Sequence, residues 1–472
     1  MLFVIVNSLE DTHALLSSLP EEVAGIELRL DRFKTIDFAD LKRVKTLSPL
    51  PLLFTLRKKR DGGSFEGDDG AHSALIEQLI ELSPDYFDLE HDTPQLFLEK
   101  LSEKYPHTKI LLSYHNFEET PELAPLLQKM RSPYAYGYKI ACKARSSLDA
   151  LRMSVFITKQ EENLTGISMG RLGEFTRITA PVAGSLFNYT FLDVKSAFEG
   201  QLSLATLHQT YRYTTLSPST ALFGLIGDPV DQSISHLTHN KRLREIGADG
   251  VYIKISLKTN ELPEFLTLAR QLPFKGLSVT MPHKEAILPL LDELSEEARA
   301  IQAVNTLIFK NGRIRGENTD GLGALDLLGP VEGKRLVILG AGGTALAIAY
   351  EAKRRGGEVL ILNRTPARAE RAASQLSCEG DGMEKIEEIF KRGYEILINA
   401  TPVGMPPNDQ TLPIDPRWIL PGSMVMDVVS TPGSSLGMTP LLQEAQKRGC
   451  MLMSGKALFF AQAAHQFKLW FA

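Results

Sequence analysis

The chain has 472 residues, of which 43% are hydrophobic and 23% charged, and this length predicts about three domains because one core seldom organises so many residues. A formal net charge of −5 argues against a nucleic-acid partner, because such proteins concentrate positive charge. Three cysteines without CxxC spacing predict neither disulfides nor a metal site. We see no signal peptide and no apolar run near the roughly 18 residues of a membrane span. We therefore expect a cytoplasmic protein without a membrane partner.

Residues 1–207 alternate strand-like and helix-like segments. The strand-like segments are Leu2–Val6, Gly25–Asp31, Leu52–Arg57, Tyr86–Glu90, Lys109–His115, Ala135–Ala141, Leu164–Met169 and Pro181–Leu186. Helical periodicity appears between them, for example in Ser73–Leu82 and Ser147–Lys159. Eight such units in this length predict an α/β fold with a closed parallel barrel, the (β/α)8 TIM barrel, rather than an open sheet.

The polar side chains of these strands predict where the barrel works. In Gly25–Asp31 the apolar residues project from one face, whereas Glu27, Arg29 and Asp31 project from the other. Burying such charges unpaired would cost several kcal/mol per ion, so we expect them at a binding site. Barrel enzymes bind their substrates at the carboxyl ends of the strands. The alternative is a sheet whose polar face meets water.

Lys139 and His115 are the candidate chemical groups of this half. Lys139 lies in the run Tyr136–Ala141, which otherwise predicts a buried strand. Burial disfavours the charged form of an amine, so an amine among apolar neighbours becomes a better nucleophile. His115 ends the preceding strand-like segment, and imidazole transfers protons near neutral pH. We expect imine chemistry here; the alternative is a lysine in a salt bridge near the barrel mouth.

Four motifs identify a family for residues 1–207. They are Glu27-Leu28-Arg29, Ser113-Tyr114-His115-Asn116-Phe117, Lys139-Ile140-Ala141 and Ser168-Met169-Gly170-Arg171-Leu172-Gly173. In this order they resemble the type I 3-dehydroquinate dehydratases. The resemblance implies that Lys139 forms an imine with the C3 ketone of 3-dehydroquinate and that His115 is the general acid and base.

The same resemblance implies a set of substrate-binding residues. They are Glu27, Arg29, Arg57, Asp61, Met169, Arg177 and Gln201. Arginine suits a substrate carboxylate because its guanidinium donates two parallel hydrogen bonds. Asp61 stands where the family usually has a glutamate that orients the histidine, and Tyr189 stands where a phenylalanine is common.

Residues 208–220, rich in Tyr, Thr, Ser and Pro, show no period and predict a linker. A new βα alternation follows in residues 221–322, and a third unit, residues 323–439, contains the turn of Gly340, Ala341, Gly342 and Gly343 after a strand. Glycines there let the backbone approach a pyrophosphate at a helix N-terminus. The next strand ends at Asn363, Arg364 and Thr365, with Arg368 close behind, which favours NADP over NAD. The alternative is an α/β unit that binds no nucleotide.

Polar residues elsewhere in this half suggest a second reaction. Ser233 and Ser235 could together bind a carboxylate, although such a pair is more often a turn or helix cap. Lys284 and Asp320 could deliver a proton beside a hydride acceptor, although a surface ion pair is the plainer interpretation.

Three further motifs identify the family of residues 221–472. They are Ala303-Val304-Asn305-Thr306, Asn399-Ala400-Thr401-Pro402-Val403-Gly404-Met405 and Gln462-Ala463-Ala464. With the preceding residues they resemble shikimate dehydrogenase. The resemblance implies reduction of 3-dehydroshikimate with NADPH by the catalytic pair Lys284 and Asp320. It also implies substrate binding by Ser233, Ser235, Thr280, Asn305 and Gln462, a nicotinamide site bordered by Thr401 and Met405, and a C-terminal helix, about residues 440–472, that returns to the substrate domain.

Three residues of this half depart from the family. His236 replaces a common proline, Ser278 replaces an asparagine, and Ser430 stands where a tyrosine is frequent. We expect these changes to affect substrate affinity more than the type of reaction.

The two resemblances imply consecutive reactions, because the product of the dehydratase is the substrate of the dehydrogenase. The sequence therefore predicts a bifunctional enzyme of the shikimate pathway that uses NADP(H) and no metal. Two alternatives remain, a Schiff-base aldolase fused to a quinate dehydrogenase and a catalytically silent metabolite sensor. Intact Lys139, His115, Lys284 and Asp320 argue against the sensor.

Overall fold

The computed structural model describes residues 1–192, 199–405, 410–429 and 438–472. The chain divides into two compact units, the first comprising Met1–Gly224 and Ile234–Phe274 and the second comprising Leu225–Ser233 and Lys275–Ala472. Within the described stretches, no helix is long and apolar enough to cross a membrane.

An eight-stranded parallel sheet forms most of the first unit. Its strands are β1 (Leu2–Val6), β2 (Gly25–Arg29), β3 (Leu52–Thr55), β4 (Tyr86–Glu90), β5 (Lys109–Asn116), β6 (Gly137–Lys143), β7 (Leu164–Met169) and β8 (Asn188–Thr190). They lie in the order β7-β6-β5-β4-β3-β2-β1-β8. The segment before β8 joins the two ends, since Leu186 N donates to Leu164 O at 2.8 Å. The predicted barrel is confirmed.

Helices alternate with these strands. They are α1 (Leu9–Ser17), α2 (Phe38–Leu47), α3 (Asp69–Ile80), α4 (Gln95–Lys104), α5 (Leu123–Met130), α6 (Ser147–Ile157), α7 (Glu174–Ala183) and α8 (Leu204–Gln209). Side chains of Ser8, Asp37, Asp68 and Ser146 accept hydrogen bonds from the first turns of α1, α2, α3 and α6, which satisfies backbone donors that have no partner within the helix.

Aromatic side chains pack together within the barrel. The rings of Phe3 and Phe187 lie 4.6 Å apart, and Tyr86 packs edge-on against Phe187 at 5.1 Å. These side chains belong to one buried cluster to which seven strands contribute, together with the segment before β8. Polar residues at the carboxyl ends of the strands are therefore supported by a dry, close-packed base.

The predicted strand Pro181–Leu186 is wrong. Residues up to Ala183 continue α7, and the eighth strand begins only at Asn188. A proline inside a helix leaves the carbonyl four residues earlier without its donor, which is why the sequence predicts a break. Here Asn188 Nδ2 donates to Arg177 O at 2.6 Å and replaces the missing hydrogen bond.

The rest of the first unit packs against the barrel. It contains α9 (Ser235–Glu245), β10 (Gly250–Ser256) and α10 (Leu262–Ala269), and β9 (Ala221–Gly227) begins in it. Arg152 Nε of α6 donates to Glu264 Oε1 of α10 at 2.8 Å. The predicted linker is partly buried, since Tyr211 and Tyr213 are only 4% and 5% exposed.

A mixed sheet begins the second unit. Its strands β11 (Phe274–Val279), β13 (Thr306–Lys310), β14 (Arg313–Glu317) and β12 (Glu293–Leu294) lie side by side in that order. The helices here are α11 (His283–Ala286), α12 (Glu296–Ile301) and α13 (Asp320–Leu328).

A second parallel sheet follows, with six strands. These are β15 (Arg335–Leu339), β16 (Glu358–Asn363), β17 (Glu379–Gly382), β18 (Ile396–Asn399), β19 (Met424–Asp427) and β20 (Met451–Met453). Their order, β17-β16-β15-β18-β19-β20, reverses direction between β15 and β18, the point where Rossmann folds bind dinucleotides. The helices are α14 (Gly343–Arg354), α15 (Pro366–Leu376), α16 (Ile386–Arg392), α17 (Pro440–Lys447) and α18 (Gly455–Trp470). The predicted Rossmann unit is confirmed.

The C-terminal segment differs from the single helix predicted over about residues 440–472. Its first part, α17 and β20, extends the Rossmann sheet, because β20 pairs with β19. Only α18 returns to the mixed sheet, where Trp470 Nε1 donates to Leu307 O at 3.0 Å.

We expect Asn188→Ala to lower the free energy of unfolding of the barrel by about 1–3 kcal/mol, because it leaves the buried Arg177 carbonyl without a donor. Urea denaturation measures the change. Asn163→Ala is the matched control, since Asn163 Nδ2 also donates to a backbone carbonyl, Tyr136 O at 3.0 Å, but in an exposed place. Equal losses in the two variants would contradict this account of α7.

Candidate active sites

A cavity of about 270 Å³ lies where the barrel strands end. Every barrel residue predicted for catalysis or substrate binding lines it, namely Glu27, Arg29, Arg57, Asp61, His115, Lys139, Met169, Arg177 and Gln201. The alternating side chains of parallel strands explain this convergence, because residues two apart project into the barrel together.

Lys139 reaches this cavity from β6 and is 7% exposed. Its Nζ lies 3.2 Å from Asp88 Oδ2, 3.7 Å from Glu27 Oε1 and 4.1 Å from the centre of the Tyr189 ring. The expected apolar surroundings are therefore wrong. Two carboxylates and an aromatic face surround the nitrogen, and all three stabilise a positive charge there.

Asp88 joins Lys139 to a second buried cation. Its Oδ1 lies 2.7 Å from Arg57 NH2 and also accepts a hydrogen bond from Ser113 Oγ. Burial alone would raise the pKa of Asp88, but Arg57, Lys139 and Ser113 outweigh it and hold that pKa below its ordinary value. Arg57 also faces Glu90, at 3.7 Å. Asp88 thus remains ionised and fixes the position of the amine.

His115 lies on β5, the strand beside β6, and lines the same cavity as Lys139. Its pKa lies well below the ordinary value because it is buried and because Arg57 and Lys139 repel a proton there. The ring stacks on Phe117 at 6.2 Å. A neutral imidazole at this place can accept a proton from a bound substrate.

Asp61 lines the cavity without orienting the histidine. Its Oδ2 accepts from Arg60 Nε at 3.2 Å, and His115 Nδ1 has no hydrogen-bond partner among the described residues. The expectation that the carboxylate at position 61 orients the histidine is therefore not met by a hydrogen bond in this structure.

The predicted arginines differ in what they contact. Arg29 forms two hydrogen bonds of 2.9 Å with Asp31. Arg177 contacts no carboxylate of the described residues, its Nε has no hydrogen-bond partner there, and burial lowers its pKa to about 10. A buried guanidinium that forms no ion pair with the described residues is suited to an anionic ligand, so Arg177 is the strongest candidate to bind a substrate carboxylate.

Sequence reasoning did not list Thr55, Asp88 and Tyr189 as site residues. Thr55 Oγ1 donates to Glu27 Oε1 at 2.8 Å, and the buried Tyr189 hydroxyl has no partner among the described residues. The alternation of strand residues could have found the first two, since Thr55 pairs in register with Arg29 and with Asp88.

Lys284 and Asp320 form the centre of the site in the second unit. Lys284 Nζ lies 2.5 Å from Asp320 Oδ2, and Asn305 Nδ2 donates to Asp320 Oδ1 at 2.7 Å. Burial alone would raise the pKa of Asp320, but these partners hold it below its ordinary value. The pair is largely buried and is not the surface ion pair of the alternative interpretation, since the side chains are 20% and 8% exposed.

Helix α18 completes this network. Gln462 Oε1 accepts from Asn305 Nδ2 and from Thr319 Oγ1, both at 3.2 Å. Ser278, which stands where the family has asparagine, donates to Gln466 Oε1 of the same helix at 2.8 Å. The predicted Thr280 follows β11 directly.

The two predicted serines lie on different sides of the division between the units. Ser233 lies in a turn in which its N–H donates to Val230 O at 3.1 Å, and Ser235 begins α9. His236 stacks on Tyr211 at 6.3 Å, so this replacement of the family's proline packs against the predicted linker. Ser430 lies outside the described residues.

A larger cavity, of about 1010 Å³, opens at the reversal point of the Rossmann sheet. It is lined by the predicted Gly340, Ala341, Gly342, Gly343, Asn363, Arg364, Arg368 and Thr401. Gly340 has a φ of +110°, and a Cβ there would lie 2.9 Å from Ala400 O, so only glycine suits this turn. The predicted Thr365 and Met405 are not among the residues that line the cavity, although Arg364 and Val403, close to them in sequence, are.

Sequence reasoning missed a third arginine on this wall. Arg371 lies one helical turn after Arg368 on α15 and lines the same cavity. None of Arg364, Arg368 and Arg371 is paired with a carboxylate of the described residues. Within those residues, no cluster of His, Cys, Asp and Glu is arranged to hold a metal ion.

Three family models match successive parts of the chain. Residues 1–218 match type I 3-dehydroquinase, residues 225–307 match the shikimate dehydrogenase substrate binding domain, and residues 323–406 match shikimate/quinate 5-dehydrogenase.

Two relatives match nearly the whole chain, and one solved structure matches about half of it. The chloroplastic bifunctional 3-dehydroquinate dehydratase/shikimate dehydrogenase of Arabidopsis thaliana is 33% identical over 471 residues, which cover 94% of this chain and 77% of the relative. The shikimate biosynthesis protein AroDE of Chlamydia pneumoniae is 34% identical, over 94% of this chain and 90% of the relative. The crystal structure of shikimate 5-dehydrogenase from Listeria monocytogenes, in complex with shikimate and NAD, is 32% identical with a TM-score of 0.50 and covers 54% of this chain and 93% of that one.

A barrel with a buried lysine is followed by a Rossmann unit, and the Arabidopsis and Chlamydia relatives match nearly the whole chain. The chain therefore belongs to the family of bifunctional type I 3-dehydroquinate dehydratase/shikimate dehydrogenases.

Proposed function

We propose that this chain dehydrates 3-dehydroquinate to 3-dehydroshikimate in the barrel and reduces that product to shikimate with NADPH in the second unit. The observation that carries the proposal is the amine of Lys139, buried beside Asp88 and Glu27 in one cavity with a neutral His115. The Arabidopsis and Chlamydia relatives support the combination of activities.

In the barrel, the neutral His115 accepts a proton from the Lys139 ammonium, and the freed amine attacks the C3 ketone. His115 then returns the proton to the departing oxygen, and loss of water gives an iminium ion. Asp88 and Glu27, 3.2 and 3.7 Å from that nitrogen, stabilise its positive charge. The iminium acidifies C2, and His115 removes the C2 proton. The electron pair then expels the C1 hydroxyl, which His115 protonates to leave as water, and a second water hydrolyses the imine. Arg177 holds the substrate carboxylate, while Arg29, Met169 and Gln201 complete the wall.

The residues of the Rossmann cavity fit a phosphorylated dinucleotide. The turn Gly340–Gly343 leads into the N-terminus of α14, and a Cβ at Gly342 would meet no atom within 4 Å, so the turn borders open space. Backbone N–H groups there suit a pyrophosphate. Arg364, Arg368 and Arg371 offer guanidinium groups for the 2′-phosphate, and Asn363 and Thr401 line the same cavity.

When bound in this cavity, NADPH would supply the hydride for the reduction. Lys284 donates the proton that the new alcohol oxygen needs, and Asp320, 2.5 Å away, keeps the amine oriented and compensates its charge. Asn305, Gln462, Thr280, Ser233 and Ser235 are the proposed groups for the substrate hydroxyls and carboxylate. The domain boundaries, residues 1–207, 208–220, 221–322 and 323–439, and the cytoplasmic location stay predictions.

The two activities should separate in single variants. Lys139→Ala should lower the dehydration kcat on the order of 10⁴-fold and leave reduction unchanged. Lys284→Ala should lower the reduction kcat on the order of 10³-fold and leave dehydration unchanged. Dehydration is followed by product absorbance without NADPH, and reduction by NADPH oxidation with 3-dehydroshikimate, with NADH as the comparison.

Lys100→Ala is the matched control, because Lys100 also pairs with a carboxylate, Glu77 at 2.5 Å, but on the exposed surface. Loss of both activities in either active-site variant would show that the halves are not chemically independent. Full dehydration activity in Lys139→Ala would overturn the imine mechanism.

The side-chain length at position 61 should affect the pH below which dehydration becomes slow. His115 acts as a base when neutral, and its depressed pKa keeps it neutral as the pH falls below about 6.5. Asp61→Glu lengthens this side chain by one methylene, and a hydrogen bond from His115 Nδ1 to the longer carboxylate should raise that pKa, so the acid limb of kcat/KM moves to higher pH. Asp92→Glu is the control, since Asp92 pairs with the same Arg60 at 2.6 Å. An unchanged acid limb in Asp61→Glu would contradict this role.

A further inference from the structure

Thr344 connects the glycine turn of the Rossmann unit to the catalytic pair. It is the second residue of α14, directly after Gly343. Its Oγ1 donates to Asp320 Oδ2 at 3.0 Å and accepts from Lys284 Nζ at 3.3 Å. With the direct contact of 2.5 Å between Lys284 and Asp320, the three side chains form a closed triangle of hydrogen bonds.

The close approach of two helices makes this contact possible. Asp320 begins α13 and Thr344 lies in the first turn of α14. At Gly321 an added Cβ would lie only 2.3 Å from Ala347 O, so the backbones meet where glycine leaves room. The hydroxyl therefore comes from the same turn whose N–H groups face the dinucleotide cavity.

Thr344 is one of the groups that hold Lys284 and Asp320 in place. Asn305 Nδ2 holds Asp320 Oδ1 at 2.7 Å, and Thr344 holds the other oxygen together with Lys284. Without the hydroxyl, Asp320 Oδ2 keeps only the mobile lysine among these side-chain contacts. The long, flexible lysine side chain is then free to leave the rotamer that proton delivery requires.

We propose that Thr344 is a positioning residue of the reductase site, which holds Lys284 and Asp320 in the arrangement that delivers the proton. This inference rests on the reductase function proposed above. Through Thr344, the glycine turn that borders the dinucleotide cavity joins the hydrogen-bonded group of the catalytic pair.

The surrounding charges indicate which pH effect the hydroxyl has. Burial alone would raise the pKa of Asp320, and Lys284, Thr344 and Asn305 lower it. On the helices packed against α13, Glu351 forms ion pairs with Arg354 and Arg355, and His465 forms one with Asp326. Removal of the Thr344 hydroxyl should therefore raise the pKa of Asp320.

The test compares Thr344→Val, which keeps the shape of the side chain, with Thr344→Ser, which keeps the hydroxyl. We expect Thr344→Val to lower the reduction kcat about 10-fold, with the KM for NADPH changed less than about twofold, and to move the acid limb of the pH profile upward. Thr344→Ser should retain the wild-type profile. A residue with a merely structural role would not move the acid limb.

Dehydration by the same chain is the internal control for enzyme concentration, and the KM for NADPH reports whether the Rossmann unit is folded. Thr344→Ala is a second variant without the hydroxyl, so a packing fault particular to valine does not decide the result. A wild-type kcat and acid limb for reduction in whichever of these two variants retains the wild-type KM for NADPH would overturn the proposal. Failure of the wild-type chain to reduce 3-dehydroshikimate would instead overturn the reductase function itself.

Discussion

The buried carboxylate of Asp88 is the interaction on which the first half depends. It lies between the Lys139 amine, at 3.2 Å, and the Arg57 guanidinium, at 2.7 Å, and is 1% exposed. Removing one partner of a buried ion pair costs about 3–5 kcal/mol, because the other charge remains desolvated. These charges and His115 come from β4, β5, β6 and the segment directly after β3, so these neighbouring strands must pair before the site exists.

The second half also has to hold an amine in a fixed position, but it does so with different neighbours. Lys284 and Asp320 are again an amine and a carboxylate held largely out of water, but neutral side chains, Asn305 and Thr344, complete their hydrogen bonds. In the barrel the amine is positioned to form a bond with the substrate; in the reductase it is positioned to give a proton. Both uses require a fixed nitrogen, and in both a carboxylate fixes it.

Sequence reasoning succeeded where local patterns coincide with tertiary structure. Lys139 and His115 belong to mostly apolar runs that form buried strands, and the glycine turn sits between a strand and a helix, so both sites were predictable. It failed where a distant side chain decides the outcome. Pro181 stays helical because Asn188 replaces its hydrogen bond. Likewise, the charged neighbours of Lys139 come from β2 and β4, and no local window shows that they meet.

Borohydride reduction in the presence of 3-dehydroquinate tests the central claim most directly. Hydride reduces an iminium to a stable secondary amine, so the adduct stays on the residue that formed it. Peptide mass spectrometry should place one adduct on Lys139 and none on Lys143, the other lysine of β6 that lines the cavity. An adduct on another residue, or none in a chain that still dehydrates its substrate, would contradict the account.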